Sequence, residues 1–337
     1  MAYTAIDNPE LYFQVKLYTG NGSDDHAQTF DGDEDMQPDL NWIKERSSTS
    51  GHRLFDSVRG STKYLESSDT SAEGTSDANS ATFDSDGFTV DSGAAVNENT
   101  VTYVAWCWKE SATAGFDIVS YTGTGSAKTE AHSLSAVPHV MIVRNRPSND
   151  GSWQVYHQKN TAAPETDVLQ LQLTNPTEDS AVIWNDTAPT SSVFSVGTHL
   201  TVNEDGSAMI AWLFSEKQGF SKFGSYTGRG PSNFPFIYLG FRPAFVLIKG
   251  AISGDGDAAQ NWELYDNKRA GYNGGNATLY PNATYAEGTN DRIHLMSNGF
   301  KININSDGVN DNNSTYIYMA FAEAPFVNSN GVPCNAR

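Results

Sequence analysis

The stretch at residues 120–130, SYTGTGSAKTE, decides between a nucleotide-binding fold and an all-β fold. A phosphate-binding loop has glycine directly before its lysine and a helix after it. Here Ala127 precedes Lys128, and the chain continues through Pro138 into the apolar, β-branched run 140–143. The stretch is therefore predicted to be a turn between strands.

The same turn occurs three times along the chain. KLYTG, VSYTG and GSYTG place tyrosines at Tyr18, Tyr121 and Tyr226, spaced by roughly 100 residues. Four further elements follow each copy in the same order. They are an apolar strand from proline to a base (PDLNWIK, PHVMIVR, PAFVLIK), an alternating strand (HRLFD, WQVYH, WELYD), a turn with a strand (SDGFTV, GTHLTV, SNGFKI) and a strand with alanine before an aromatic residue (YVAWCW, MIAWLF, YMAFAE). This order indicates an internal repeat.

The repeat predicts the fold class. Its period is too long for a propeller blade and suits a complete small β-sandwich. Short apolar runs alternate with loops rich in Ser, Thr, Asn, Asp and Gly, which favours an all-β protein. We therefore expect three tandem β-sandwich, jelly-roll-like domains at residues 1–112, 113–219 and 220–337, called repeats 1, 2 and 3 below.

Two local predictions follow from the recurring elements. The glycine of each YTG is expected to adopt a positive φ, while the tyrosine anchors the strand end. The aromatic residue of each closing strand is expected to be buried at a matching core position, where the neighbouring alanine leaves room for the ring. These pairs are Trp106 with Ala105, Trp212 with Ala211 and Phe321 with Ala320.

Charge and composition exclude several partners. The 337 residues include 40 acidic and 21 basic side chains, for a net charge of −19. Such a chain repels nucleic acid, so no nucleic-acid partner is expected. No apolar run reaches the length of about 18 residues that a membrane-spanning helix needs, so no membrane insertion is expected.

No sequence motif indicates catalysis, cofactor binding or metal binding. The seven histidines have no zinc-type spacing, and no GxSxG motif occurs. DGDED at residues 31–35 begins like an EF-hand loop but lacks its later glycine and glutamate. No catalytic residue, cofactor or metal ligand is predicted. A looser calcium site stays open at the acidic turns, which are residues 31–35, Asp84 with Asp86, and Asp255 with Asp257.

The tryptophans offer candidate residues for binding a glycan. Four of the seven lie in apolar strands, where a core role is predicted. The other three, Trp153, Trp184 and Trp262, are candidate glycan-stacking rings at the surface. Packing in a core or interface is the alternative for these three.

Several stretches resemble a repeat family of marine tailed-bacteriophage virion structural proteins, of the cyanophage and pelagiphage type. They are AGFDIVSYTGTGSAKTEAHSLSAVPHVMIVRNR (114–146), GHRLFDSVRGSTKYL (51–65), FDSDGFTVDSG, TYVAWCWKE and YIYMAFAEAPFVNSNGVP (316–333). The resemblance covers nearly the whole chain, although repeats 2 and 3 depart from the SVRG and DSDGF elements. The resemblance implies no catalytic residue at any position of this sequence.

The resemblance implies a non-enzymatic virion protein, assembled in the host cytoplasm. It would be a tail fibre, appendage or capsid-surface decoration that presents loops for assembly or host attachment. Other virion proteins are the implied partners, and a homo-oligomer, most often a trimer, is the expected state. Two alternatives stay open: a lectin-like module that recognises a host surface glycan, and a glycan depolymerase.

Overall fold

The computed structural model describes residues 3–149, 151–254, 260–269 and 277–334. The prediction of an all-β protein is confirmed, and the strands form antiparallel sheets. The helical segments are α1 (Ala94–Asn97), α2 (Leu200–Asn203), α3 (Asp307–Asn310) and two 3-10 turns (Pro9–Leu11 and Pro164–Thr166). None of the helices in the described ranges is long and apolar enough to cross a membrane.

Repeat 1 contributes one large sheet and one small sheet. Its strands are β1 (Phe13–Thr19), β2 (His26–Gln28), β3 (Leu40–Glu45), β4 (Arg53–Asp56), β5 (Lys63–Glu66), β6 (Gly74–Thr75), β7 (Phe88–Val90) and β8 (Thr102–Trp108). The large sheet has the order β1-β8-β3-β4-β5-β6, and β2 pairs with β7. The closing strand β8 therefore lies between the first strand and the strand that follows the proline.

Repeat 2 has the same strand order. Its strands are β9 (Phe116–Thr122), β10 (Lys128–Ala131), β11 (Val140–Asn145), β12 (Gln154–His157), β13 (Asp167–Gln170), β14 (Glu178–Asp179), β15 (Val193–Val196) and β16 (Ala208–Phe214). The large sheet has the order β9-β16-β11-β12-β13-β14, and β10 pairs with β15.

Repeat 3 has the same order of strands, but among its described residues the large sheet has four strands and the small sheet has three. Its strands are β17 (Ser221–Thr227), β18 (Phe236–Tyr238), β19 (Phe241–Ile252), β20 (Trp262–Asp266), β21 (Ile293–Met296), β22 (Gly299–Ile302) and β23 (Thr315–Pro325). The large sheet has the order β17-β23-β19-β20, and the small sheet has the order β18-β22-β21. An isolated bridge between Leu264 and Leu279 continues the large sheet beyond β20.

The recurring residues occupy matching register positions in the three large sheets. Each YTG tyrosine lies opposite the second residue of the closing strand: Tyr18 opposite Tyr103, Tyr121 opposite Met209 and Tyr226 opposite Tyr316. Each strand-ending base lies opposite the third residue: Lys44 opposite Val104, Arg144 opposite Ile210 and Lys249 opposite Ile317. The sequence repeat is thus also a repeat of strand pairing.

Both faces of each closing strand are buried. In β8, Ala105 and Cys107 face a cluster with Phe88 of the small sheet, whereas Trp106 and Trp108 belong to a different cluster. Successive residues of a strand point to opposite faces, so the alanine cannot make room for the adjacent ring. The expectation that Ala105 accommodates Trp106 is wrong, and the same alternation separates Ala211 from Trp212.

The second buried face of each large sheet packs against the other two repeats. Trp108, Phe214 and Phe321, one from each repeat, contact one another in all three pairings. Their ring centroids are 6.4 Å apart for Trp108 and Phe214, 5.9 Å for Phe214 and Phe321, and 5.7 Å for Trp108 and Phe321. Edge-to-face contacts at these distances are favourable for aromatic rings. The three repeats therefore close around one shared hydrophobic core.

The YTG turn is held by a one-turn helix in each repeat. The tyrosine hydroxyls donate to the carbonyl oxygens of Val96, Val202 and Val309, in the order Tyr18, Tyr121 and Tyr226, at 2.7, 2.6 and 2.8 Å. The asparagine after each valine then accepts from the amide that follows the YTG glycine. These bonds are Asn21 N–H to Asn97, Thr124 N–H to Asn203 and Arg229 N–H to Asn310. The Val-Asn pair is a further recurring element.

The YTG glycine is required for a different reason from the one predicted. The positive φ values occur two residues later, at Gly22 (69°), Gly125 (67°) and Gly230 (70°). At Gly123, by contrast, an added Cβ would lie 2.0 Å from the carbonyl oxygen of Glu204. The expectation of a positive φ in YTG is therefore wrong, because its glycine is needed for a close approach between two backbone segments.

Candidate functional site

The turn that leads into Lys128 does not present the lysine ammonium group to a phosphate. Lys128 Nζ donates to the Thr122 carbonyl, pairs with Glu130 and lies 5.0 Å from the ring centroid of Tyr121. Strand β10 begins at this lysine, as the prediction of a turn between strands requires. The ammonium group is therefore engaged within its own repeat.

The three candidate glycan-stacking tryptophans are buried. Their indole N–H groups donate to backbone carbonyls, from Trp153 to Glu66 at 2.9 Å, from Trp184 to Asp167 at 3.1 Å and from Trp262 to Gln170 at 3.0 Å. Trp153 and Trp262 reach the preceding repeat in this way, whereas Trp184 stays within repeat 2. The placement of these three rings at the surface is corrected: none offers a face to a sugar, because each is packed with its N–H satisfied.

A buried polar network joins repeats 1 and 2. Trp212 Nε1 donates to Asp56 Oδ2 at 3.1 Å, and Arg59 Nε donates to the same oxygen at 2.6 Å. The Arg59 guanidinium also lies 5.6 Å from the Trp212 ring centroid. Glu73 of repeat 1 accepts hydrogen bonds from Arg59 at 3.3 Å and from Arg146 of repeat 2 at 2.8 Å. The contact with Arg146 is therefore a second link between the two repeats.

Repeats 3 and 1 are joined by the same set of contacts. Trp106 Nε1 donates to Asp266 Oδ2 at 3.0 Å, and Arg269 pairs with that carboxylate at 2.5 Å. Arg269 lies 5.6 Å from the Trp106 ring centroid, and Glu287 accepts from both Arg269 and Arg46. A charged Asp-Arg pair with no exposed side-chain surface is stable only when its hydrogen bonds are satisfied, as they are here.

The third boundary uses different residues in the same places. His157 stands in the aspartate position of repeat 2. Met319, not Phe321 as expected, stands in the position of Trp106 and Trp212, because Phe321 lies two residues further along its strand and matches Trp108. His157 Nε2 lies 3.1 Å from the carbonyl oxygen of Tyr318. Burial lowers the pKa of His157 to about 4, so the neutral ring forms this contact at neutral pH. Each repeat thus touches the next, and the contacts run once around the molecule.

The strand-ending bases are buried at the same boundaries. Arg144 Nη2 donates to the carbonyl oxygens of Thr70 and Ser71 in repeat 1 at 2.6 and 2.7 Å, and Lys249 Nζ donates to that of Thr174 in repeat 2 at 2.7 Å. Desolvation lowers the pKa of Lys249 to about 7 and that of Arg144 to about 10. Sequence analysis located these bases but did not predict their role between repeats.

Two carboxyl groups lie together where repeats 1 and 2 join. Burial, followed by a hydrogen bond to Asp117, raises the pKa of Glu110 to about 7. The paired carboxylates of glycosidases are about 5 to 9.5 Å apart, which leaves room for a sugar or a water. Glu110 and Asp117 share a hydrogen bond and lack that space.

The acidic turns use their carboxylates locally. Asp31 pairs with Lys16 at 2.6 Å, and Asp84 accepts from the hydroxyls of Thr82 and Thr89 at 2.9 and 2.7 Å. Across the described part of the chain, no three His, Cys, Asp or Glu side chains are grouped so as to hold a metal ion. Asp255 and Asp257 lie outside the described residues.

A groove with about 290 Å³ of space lies where the N-terminal arm, the segment between repeats 2 and 3, and the C-terminal segment meet. We call it the linker groove. Its two tyrosines are largely exposed, Tyr3 by 59% and Tyr238 by 55%. Its polar lining residues are Glu216, Gln218, Ser221 and Lys222.

Both tyrosines are held by neighbouring segments. Lys222 Nζ donates to the Tyr238 carbonyl at 2.9 Å and lies 5.5 Å from the Tyr238 ring centroid. Tyr3 lies against Gly331, where an added Cβ would be 3.3 Å from its ring. Thr4 Oγ1 fixes the N-terminal arm by donating to the Gln218 carbonyl at 3.1 Å. Sequence reasoning missed this groove because its residues come from four separate segments.

Comparisons with known proteins identify a family without assigning an activity. No curated protein matches the chain. The model of the family described as "Domain of unknown function (DUF7483)" matches residues 8–325, a span that takes in parts of all three repeats. The chain therefore belongs to the DUF7483 family.

Proposed function

We propose that this chain is a non-enzymatic structural protein of a bacteriophage particle, either a tail fibre or appendage component or a capsid-surface component. Its three repeats would be β-sandwich, jelly-roll-like units that form one support for surface loops. The observation that carries the proposal is the contact among Trp108, Phe214 and Phe321, which joins all three repeats in one core. Such a core suits a rigid scaffold.

The use of reactive side chains supports a structural role. Asp56 and Asp266 are bound to arginine and tryptophan, and His157 contacts a backbone carbonyl. Burial raises the pKa of the Cys107 thiol well above its ordinary value, which opposes formation of a nucleophilic thiolate. These groups stabilise contacts between or within repeats.

The shared core also bears on assembly. The inner faces of the large sheets are already covered by one another, so a homotrimer or a contact with other virion proteins would use loops and outer surfaces. Loops can vary among the repeats while the core-forming strands stay alike. A permanent contact of this kind would bury more than about 1,000 Å².

Two measurements test the proposal together. The mass of the purified chain in solution gives its oligomeric state, and a reconstruction of the whole particle gives its position. We expect the chain at a fixed, symmetric position on the particle surface. Absence from purified particles, or release of reducing ends from a host polysaccharide, would contradict the assignment.

A second function, recognition of a host glycan, is favoured by one observation. Tyr3 and Tyr238 are exposed by more than half in a groove that also contains polar side chains. Exposed aromatic rings beside hydrogen-bonding groups are typical of sites for sugars. This function would accompany a place on the particle surface.

A further inference from the structure

We propose that the linker groove binds a neutral saccharide, with Tyr3 and Tyr238 stacking on the sugar rings. The inference rests on the second proposed function, glycan recognition, and not on the structural role. It assigns the binding to residues other than Trp153, Trp184 and Trp262, which are buried.

The aromatic surface of the groove extends along strand β18. Phe236 and Tyr238 lie two residues apart on the same face, exposed by 47% and 55%. Residues at this spacing are about 7 Å apart along a strand. Two rings in a row offer apolar platforms to an extended ligand with flat C–H faces, which is the shape of linked pyranose rings.

This aromatic strip is specific to repeat 3. The first strand of the small sheet reads HAQ in repeat 1 and KTEA in repeat 2, but FIY in repeat 3. The other repeats fold with no Phe, Tyr or Trp in that strand, so the fold does not require one there. The exposed rings of repeat 3 call for a role outside folding.

The polar lining suits hydroxyl groups, which both donate and accept. Glu216 accepts from the Phe223 amide at 3.2 Å, and a carboxylate has further acceptor capacity. The exposed Gln218 side chain supplies both a donor amide and an acceptor oxygen. A purely apolar ligand would leave these groups without partners.

The charge of the protein selects among saccharides. The chain carries a net charge of −19, and Glu216 adds a carboxylate within the groove. The Lys222 ammonium is bound to the Tyr238 carbonyl and lies beside its ring. Sulfated, sialylated or uronic-acid polymers would be repelled, so the expected ligand is neutral.

The test uses full-length protein on an array of neutral hexose oligosaccharides, with sulfated and sialylated oligosaccharides on the same array. Hits are then titrated by calorimetry. We expect binding to neutral probes only. Tyr238→Ala and Tyr3→Ala should each weaken it at least about tenfold, while Tyr238→Phe should retain it within a few-fold, because the ring stacks without its hydroxyl.

Tyr285→Ala is the matched control, since Tyr285 is a 58%-exposed tyrosine of repeat 3 that does not line the groove. It should leave affinity unchanged. If Tyr238→Ala lowers the melting temperature, Gln218→Ala provides a second test of the site, because it removes only an exposed side chain. It should weaken binding by a few-fold.

The inference is overturned if no neutral probe binds at about 10 mM, a concentration that detects very weak complexes. It is also overturned if only anionic probes bind, or if Tyr238→Ala and Gln218→Ala both leave affinity unchanged. None of these results affects the position of the chain on the particle, which tests the structural role separately.

Discussion

Trp212 Nε1 donates to Asp56 Oδ2 at 3.1 Å although the two residues are 156 positions apart in sequence. The bond connects the closing strand of repeat 2 with the fourth strand of repeat 1. Trp106 and Asp266 form the same bond between repeats 1 and 3 at 3.0 Å. Two bonds of the same kind at two boundaries indicate that the repeats meet through one recurring geometry.

Substitutions at Trp212 separate the hydrogen bond from the packing of the ring. Trp212→Phe removes the N–H and leaves Asp56 with Arg59, so a loss of about 1 to 3 kcal/mol is expected. Trp212→Ala also opens a cavity in the shared core and should cost about 3 to 5 kcal/mol. Urea unfolding measures both values. Equal stability of Trp212→Ala and the parent would place the ring in solvent and contradict the shared core.

The buried Asp-Arg pairs should contribute much more to the stability of the protein than an exposed ion pair does. Arg59→Ala leaves the fully buried Asp56 carboxylate without its charged partner and should destabilise the protein by about 3 to 5 kcal/mol. Lys16→Ala is the control, because its partner Asp31 is 64% exposed, and it should cost less than about 1 kcal/mol. Similar losses in the two variants would show that the Asp56 site is open to water.

Gly123 and Gly206 give a matched pair for the recurring turn. Gly123→Ala would place a Cβ 2.0 Å from the Glu204 carbonyl oxygen, so the two backbone segments must separate. Gly206→Ala meets nothing within 4 Å and strains only a φ of 72°, which costs about 1 to 2 kcal/mol. We expect Gly123→Ala to lower the melting temperature more than Gly206→Ala. The reverse order would show that the Glu204 segment moves aside at little cost, and would contradict the close-approach explanation of the YTG glycine.

Much of the strand arrangement could be predicted from the sequence, because each strand-forming segment recurs in the same order. The shared core could not. A closing strand such as AWCW shows that both faces are apolar, but it does not show that the second face meets another repeat. That contact depends on how three sheets pack, which local periodicity does not encode.

A signal for the boundary network was present in the sequence. FDSVR and YDNKR both contain Asp-x-x-Arg, which places Arg59 beside Asp56 and Arg269 beside Asp266. Repeat 2 reads YHQKN there, and its boundary is the one that differs. The linker groove had no such signal, since Tyr3 and Tyr238 are brought together only by the packing of the N-terminal arm.

The junction of repeats 1 and 2 contains a carboxyl group that titrates near neutral pH. Glu110 lies beside Asp117 and Asp39, and its amide donates to Asp39 Oδ2 at 2.7 Å. Burial is the largest cause that raises the pKa of Glu110 from 4.5 to about 7, and the hydrogen bond to Asp117 is the next. The folded protein therefore holds a proton that the unfolded chain releases.

This difference predicts the sign of a pH dependence. Between pH 4.5 and about 7 the folded state binds more protons than the unfolded state, so the contribution of Glu110 to stability falls as pH rises through that window. Glu110→Gln keeps a neutral, hydrogen-bonding side chain and removes the titration. Melting temperatures of the parent and the variant, measured from pH 4.5 to 7.5, should show the parent losing stability relative to Glu110→Gln as pH increases. A difference that is flat or of opposite slope would show that Glu110 is ionised in the folded protein throughout this range.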